Sequence, residues 1–144
     1  MPDRPNILII MTEHQQGWTI DPKCQCRMPN VKERIAGRGM RFDNSYTPNA
    51  LCAPARASFF SGLYPSAHGM YNNYHSIPVL HSALFPGVSL FSENIKKSGY
   101  NLSFIGKWHL SGEKSPADYG WEGPDAGQGS VWGAPSPGKR DRTL

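Results

Sequence analysis

The run Asn6–Met11 constrains the fold of this chain more than any other feature. It places five consecutive apolar residues, Ile7 to Met11, after Pro5. The run is much shorter than the ~20 residues that cross a membrane, and no cationic segment precedes it as in a secretory signal. A short, isoleucine-rich run of this kind is typical of a strand that is covered on both faces. It predicts a soluble α/β protein with no membrane partner and a cytoplasmic location.

Further helical and extended patterns follow this strand along the chain. They predict a helix over 29–38, a strand over 40–46, a short helix over 55–60, a helix between an N-cap at Ser89 and Gly99, and a strand over 100–105. Between the two later helices, residues 64–87 are rich in Pro, Gly, His and Asn, which predicts a loop. Strands that alternate with helices predict a layered α/β fold with a mainly parallel sheet.

The composition changes after Glu113, where Pro, Gly, Ser and Asp dominate and apolar periodicity ends. We therefore predict a catalytic-domain portion over 1–123 and an irregular tail over 124–144. A chain that ends this way after about three strands looks truncated.

The charge of the chain argues against nucleic-acid binding. The formal net charge is +4, but the basic residues are scattered apart from a cluster over 139–142. No basic stripe or helix-turn-helix pattern is present, so an ordinary solvated surface is the better interpretation.

Cys52 and Arg56 are the first candidates for chemistry. Cys52 precedes a helix that Pro54 can begin, and the N-terminus of a helix favours negative charge. Arg56 lies one turn later and can pair bidentately with an anion. This combination suits an oxyanion such as sulfate or phosphate. The alternative from the residues alone is a small buried thiol beside a surface charge.

The run C-A-P-A-R-A-S-F-F-S-G over 52–62 resembles the signature of the sulfatase family, C-x-P-x-R followed by Ser/Thr-Gly. The most frequent residue of that signature after the proline is serine, where this chain has Ala55. Further segments resemble the family in the expected order: P-N-I-L-I-I-M-T over 5–12, the segment over 29–46, S-G-L-Y-P-S-A-H-G-M over 61–70, G-K-W-H-L over 106–110 and Y-G-W-E-G over 119–123.

This resemblance implies a partial alkaline-phosphatase-like fold and sulfate ester hydrolysis. The family oxidises the signature cysteine to formylglycine, so a maturation enzyme would act on Cys52. One hydroxyl of the hydrated aldehyde attacks sulfur, and the other later expels sulfate. Arg56 and Lys107 would stabilise charge, and His109 would contact substrate or transfer a proton. The substrate would be a small-molecule or carbohydrate sulfate ester.

The resemblance also implies a divalent metal. Glu13 and His14 stand where adjacent aspartates are usual at the end of the family's first strand, and position 52 would complete the ligands present in this chain. Oxygen ligands favour Ca²⁺, with Mg²⁺ or Mn²⁺ as alternatives, whereas His14 is a softer nitrogen ligand.

Two other functions are compatible with these residues. A phosphonate monoester or phosphodiester hydrolase of the same superfamily could share the motifs. A truncated, non-catalytic relative could retain them for binding or regulation. In members of the family, the remaining metal ligands come much later in the sequence than the segments present in these 144 residues. We therefore predict little activity for these 144 residues alone.

Overall fold

The computed structural model describes residues 4–76, 80–124 and 126. The chain divides into two compact units, Met1–Ser45 and Tyr46–Leu144, and each is described by itself. Among the described residues, every helix falls short of the length and apolar character that crossing a bilayer requires.

The first unit contains two short helical segments among its described residues. A 3-10 helix spans Gly17–Ile20, and a π-helix spans Asn30–Ala36. The π-helix lies within the helix predicted over 29–38, so a helix at this place is confirmed. It ends at Gly37, whose N–H donates to the Lys32 carbonyl oxygen five residues earlier, at 3.0 Å.

The two strands predicted in the first unit are absent from the structure. Residues 6–11 and 40–46 pair with no other strand in the described part of the chain. Their apolar side chains are exposed, with Leu8 at 83% and Met40 at 79% of full exposure. An apolar strand is stable when neighbouring strands bond its backbone and layers cover its faces. The described residues of the first unit provide neither, so the mainly parallel sheet is not observed.

The described residues of the second unit contain three α-helices. These are α1 (Cys52–Ser61), α2 (Pro65–His68) and α3 (Phe91–Lys97), followed by a 3-10 helix over Pro116–Tyr119. Helix α1 confirms the helix predicted over 55–60. Helix α2 adds one turn inside the stretch over 64–87, whose other described residues form the predicted loop.

Helix α1 begins earlier than the sequence pattern indicates. The Ala55 N–H donates to the Leu51 carbonyl oxygen at 2.9 Å, which closes the first helical turn around Cys52. Pro54 is tolerated at the third position because the first N–H groups of a helix have no intrahelical acceptor. The helix ends at Gly62, whose φ of 71° is the left-handed conformation that favours glycine.

Helix α3 follows the predicted boundaries closely. Its N-cap is Leu90 rather than the predicted Ser89. The Leu90 N–H donates to the Glu93 carboxylate at 3.1 Å, so the acidic side chain satisfies a donor at the helix start. Gly99, the predicted stop, has a φ of 86° and donates its N–H to the Lys96 carbonyl oxygen at 2.9 Å.

An aromatic core joins α1 to the segment over 102–110. The rings of Phe60 and Trp108 have centroids 5.1 Å apart, and Trp108 is fully buried. The core cluster consists of Phe60, Leu90, Trp108, Leu110 and Tyr119. Each such residue removes a large apolar area from water, which is the main stabilising contribution in a unit this small.

The strand predicted over 100–105 is reduced to one isolated parallel bridge, between Ser103 and Glu122. The Phe104 N–H donates to the Glu122 carbonyl oxygen at 2.7 Å, and the Glu122 N–H donates to the Leu102 carbonyl oxygen at 2.9 Å. A single bridge aligns two segments but forms no sheet.

The described residues after Glu113 form a capped turn over Pro116–Tyr119. The Asp118 carboxylate accepts hydrogen bonds from the N–H and the hydroxyl of Ser115, at 2.7 and 2.9 Å. The backbone bond from Ser115 is the main cause that lowers the pKa of Asp118. The tail predicted over 124–144 lies outside the described residues, except for Pro124 and Ala126.

Candidate active site

Cys52 is the first residue of α1, and polar side chains from elsewhere in the second unit bond its two neighbours. The Leu51 N–H donates to Asn49 Oδ1 at 2.9 Å, and the Ala53 N–H donates to Asn73 Oδ1 at 2.9 Å. Leu51 itself is the N-cap and supplies no side-chain cap. The half-buried Cys52 is therefore held at the positive end of a helix of ten residues.

Arg56 connects this helix start to the second candidate segment, over 106–110. Arg56 is buried, at 8% of full exposure, and one Nη of its guanidinium donates to the Lys107 carbonyl oxygen at 2.7 Å. Because Cys52 and Arg56 are four residues apart in α1, they lie on the same face of the helix. The structure thus bonds Arg56 directly to the Lys107 backbone and places Cys52 on the same helix face as Arg56.

His109 lies two residues beyond Lys107 in an unusual backbone conformation. Its φ is 59°, in the left-handed region, and the residue is buried at 2% of full exposure. Alternation along a strand would place the side chains of Lys107 and His109 on one face. Residues 107–109 are not in a strand, and Trp108 between them is fully buried as well. The turn at His109, rather than alternation, sets the direction of its side chain.

The His109 ring is fixed by two aromatic neighbours that the sequence analysis did not select. His109 Nε2 lies 3.3 Å from His75 Nδ1, and the two rings are stacked at 5.1 Å and 7°. The Tyr74 ring meets His109 edge-on, with centroids 5.0 Å apart. In a hydrogen bond between two imidazole nitrogens, one carries the proton and the other accepts it.

His68 has a structural role despite its place in a family motif. It is fully buried, its Nδ1 accepts the Met70 N–H at 3.1 Å, and its Nε2 lies 2.9 Å from Ser58 Oγ. Since Nδ1 is the acceptor, Nε2 carries the proton and donates to Ser58. Burial lowers the pKa of His68, which favours this neutral form.

Glu13 and His14, the predicted metal ligands of the first unit, adjoin each other. Glu13 Oε1 lies 3.2 Å from His14 Nε2. Two donor atoms at this separation can bind one ion as neighbouring ligands at metal–ligand distances of about 2.0–2.3 Å. A carboxylate oxygen beside an imidazole nitrogen therefore fits a divalent cation that accepts mixed donors.

The residues missed by sequence reasoning are Asn49, Asn73 and His75. Asn73 and His75 lie in the predicted loop over 64–87, and Asn49 lies between the strand predicted over 40–46 and the helix predicted over 55–60. Their sequence signal is the local density of Asn and His. Their contacts with residues 51, 53 and 109 depend on how distant parts of the chain pack.

Comparison with known proteins identifies the family. The family model "Sulfatase" matches residues 5–134. Choline-sulfatase of Rhizobium meliloti is 34% identical over 136 residues, which cover 82% of this chain and 24% of that protein. N-acetylglucosamine-6-O-sulfatase of Bacteroides thetaiotaomicron is 34% identical, with coverages of 81% and 20%. Human N-acetylgalactosamine-6-sulfatase is 31% identical, with coverages of 76% and 22%.

The chain therefore spans about a quarter or less of the length of these curated relatives. The family implies an alkaline-phosphatase-like α/β fold. The matched range includes the Cys52–Arg56 helix start and the Lys107–His109 turn, which the structure connects through Arg56. The chain belongs to the sulfatase family.

Proposed function

We propose that this protein hydrolyses sulfate esters, with Cys52 as the nucleophile after its conversion to formylglycine. The observation that carries the proposal is the position of Cys52 at the start of α1, one turn before a buried arginine that bonds the Lys107 backbone. A maturation enzyme that generates formylglycine is then a required partner. The hydrated aldehyde supplies a nucleophilic hydroxyl and, afterwards, a second hydroxyl whose deprotonation expels sulfate.

Positive charge at this site suits a sulfate group. The helix N-terminus, the Arg56 guanidinium and the Lys107 ammonium can all stabilise the anionic oxygens of the substrate and the transition state. Arg56 is held by its bond to the Lys107 carbonyl oxygen, so the guanidinium is positioned before substrate arrives. Preorganised charges of this kind act without reorganisation during the reaction.

His109 is the proposed contact for proton transfer at the ester. An imidazole is the side chain best suited to hold or release a proton near neutral pH. Its burial and its bond with His75 restrict the ring to one orientation, which suits a group that must meet the leaving alcohol oxygen.

Glu13 and His14 are proposed to hold part of a divalent metal site. Ca²⁺ is the ion favoured by the family resemblance, and Mg²⁺ or Mn²⁺ are alternatives. When bound, such an ion supplies a Lewis acid that polarises a sulfate oxygen.

The segment over 6–11 is proposed to form a strand of a mainly parallel sheet in the complete catalytic domain. Its support is the exposure of a continuous apolar run, in which Ile10 is 71% exposed. Large exposed apolar surfaces usually mark a contact with further protein. The domain boundary near residue 123 and a cytoplasmic location remain predictions from the sequence.

Mass spectrometry across Cys52 and a turnover assay test the proposed function. Conversion of Cys52 to formylglycine lowers the peptide mass by roughly 18 Da. We expect that mass in protein produced with a maturation enzyme, and, in the complete catalytic domain, hydrolysis of an aryl sulfate that Cys52→Ala abolishes. An unmodified thiol under those conditions would favour the non-catalytic alternative. Faster turnover of an aryl phosphonate than of the aryl sulfate would reassign the substrate class.

A further inference from the structure

We propose that the segment Tyr71–His75, named here the bracing segment, positions both halves of the active site. Its positioning residues are Asn73, which acts on the nucleophile turn, and His75, which acts on His109. This inference rests on the proposed function, because it concerns the site to which that function is assigned.

Asn73 bonds the peptide group that follows the nucleophile. Its Oδ1 accepts the Ala53 N–H at 2.9 Å, across twenty residues of sequence. That N–H belongs to the peptide plane shared by Cys52 and Ala53, so the bond fixes the direction of the Cys52 backbone. Since the N-cap Leu51 has no capping side chain, Asn73 satisfies a helix-start donor that a local cap would otherwise serve.

The other flank of Cys52 is connected to the same segment. Asn49 accepts the Leu51 N–H through Oδ1 and donates through Nδ2 to the Tyr71 carbonyl oxygen at 3.2 Å. The residues before and after Cys52 are therefore both bonded, directly or through Asn49, to the bracing segment. This geometry limits movement of the nucleophile in either direction along the chain.

The end of the bracing segment bonds the opposite half of the site. His75 Nδ1 lies 3.3 Å from His109 Nε2, and the Tyr74 ring packs edge-on against the same imidazole. His109 adopts a left-handed φ of 59°, a conformation that a non-glycine residue keeps only when its surroundings enforce it. Two contacts within five residues thus set the relative placement of Cys52 and His109.

The first test measures the Asn73 contact in the 144-residue chain by amide hydrogen exchange. Loss of the acceptor in Asn73→Leu should speed exchange of the Ala53 amide by about three- to tenfold, the size of one lost hydrogen bond. Asn72 is exposed and adjacent, so Asn72→Leu is the matched control and should leave that rate unchanged. Asn73→Asp keeps an acceptor and should restore slow exchange.

Equal Ala53 exchange rates in Asn73→Leu and Asn72→Leu would overturn the role of Asn73. The Trp108 indole resonance reports the core in each variant. A uniform loss of protection throughout α1 in Asn73→Leu, without rescue in Asn73→Asp, would also count against a local positioning role.

The second test follows the His109 imidazole by nitrogen NMR. His75→Phe keeps a stacked ring and removes the nitrogen partner, so we expect the ratio of His109 tautomers to change. His75→Gln supplies an amide partner and should restore the parent ratio. His81→Phe is the matched control, because His81 packs edge-on against Phe85 rather than on His109. An unchanged His109 tautomer in His75→Phe would refute the contact.

Turnover measurements separate failure of the positioning role from failure of the proposed function. In the matured complete catalytic domain, Asn73→Leu and His75→Phe should lower kcat by about ten- to a hundredfold with KM changed much less, since small misplacements of catalytic groups are costly. Unchanged kcat in both variants would overturn the positioning role alone. If His75→Phe shifts the His109 signals but the protein hydrolyses no sulfate ester, the proposed function is refuted and the bracing segment stands as a structural feature.

Discussion

The two units of this chain contain similar apolar residues, but among the described residues only the second unit buries them. None of the described residues over 4–45 is buried, although the run over 7–11 is entirely apolar. The second unit buries Trp108, Leu110 and Met70 completely. The difference shows that apolar character predicts burial only where other segments are present to cover the side chain. The second unit supplies that cover from α1, α3 and the loops between them.

The largest expected effect on the free energy of unfolding comes from substituting a buried tryptophan, compared with an exposed one. Trp108→Ala removes a fully buried ring from the core and should destabilise the second unit by about 3–5 kcal/mol. Trp18→Ala alters a side chain that is 62% exposed in the first unit, and should change stability by less than about 0.5 kcal/mol. Urea unfolding followed by far-ultraviolet circular dichroism measures both. Similar losses would contradict the contrast between the units.

A smaller effect is expected from two arginines. Arg56→Leu leaves the Lys107 carbonyl oxygen without its buried donor and should cost about 1–3 kcal/mol. Arg41 of the first unit pairs with the largely exposed Asp43 at 2.6 Å. Because water and salt screen such a pair, Arg41→Leu should be indistinguishable from the parent. Chemical denaturation measures the stability of both variants. A greater loss of stability in Arg41→Leu than in Arg56→Leu would refute the assignment of Arg56 as a structural link.

A pair of glycines isolates backbone conformation from packing. A Cβ at Gly62 or at Gly17 would meet no atom within 4 Å, but Gly62 alone of the two has a left-handed φ, of 71°. Gly62→Ala should therefore cost about 1 kcal/mol from the left-handed conformation. Gly17→Ala should be neutral or slightly stabilising. Thermal unfolding of the two variants measures this difference, which equal midpoints would contradict.

The smallest expected effect is the dependence of the stability of the second unit on pH. Burial lowers the pKa of His68 below its ordinary value of 6.5. The unfolded chain then binds a proton more readily than the folded one, so stability is complete above pH 6.5 and falls as pH decreases toward the folded pKa. His68→Gln should flatten the stability profile below pH 6.5, measured by urea unfolding at a series of pH values. An unchanged slope of the unfolding free energy against pH would exclude His68 as the source of the pH dependence.

The sequence alone identified the family and supplied the candidate site residues. The signature over 52–62 and the Lys107–His109 run are local patterns, so they are readable without a fold. Helix α1, helix α3 and the stop at Gly99 also followed from local rules, because helical hydrogen bonds and caps join residues close in sequence.

Only the tertiary structure decided which residues surround Cys52 and His109. Asn49 and Asn73 reach the nucleophile turn, and His75 reaches His109 across 34 residues. Apart from the single bridge at Ser103, none of the three predicted strands forms among the described residues, and the physical reason is the same one that left these contacts unpredicted. A strand needs partners that are distant in sequence, as a bracing side chain does, and local periodicity does not specify which distant segments meet.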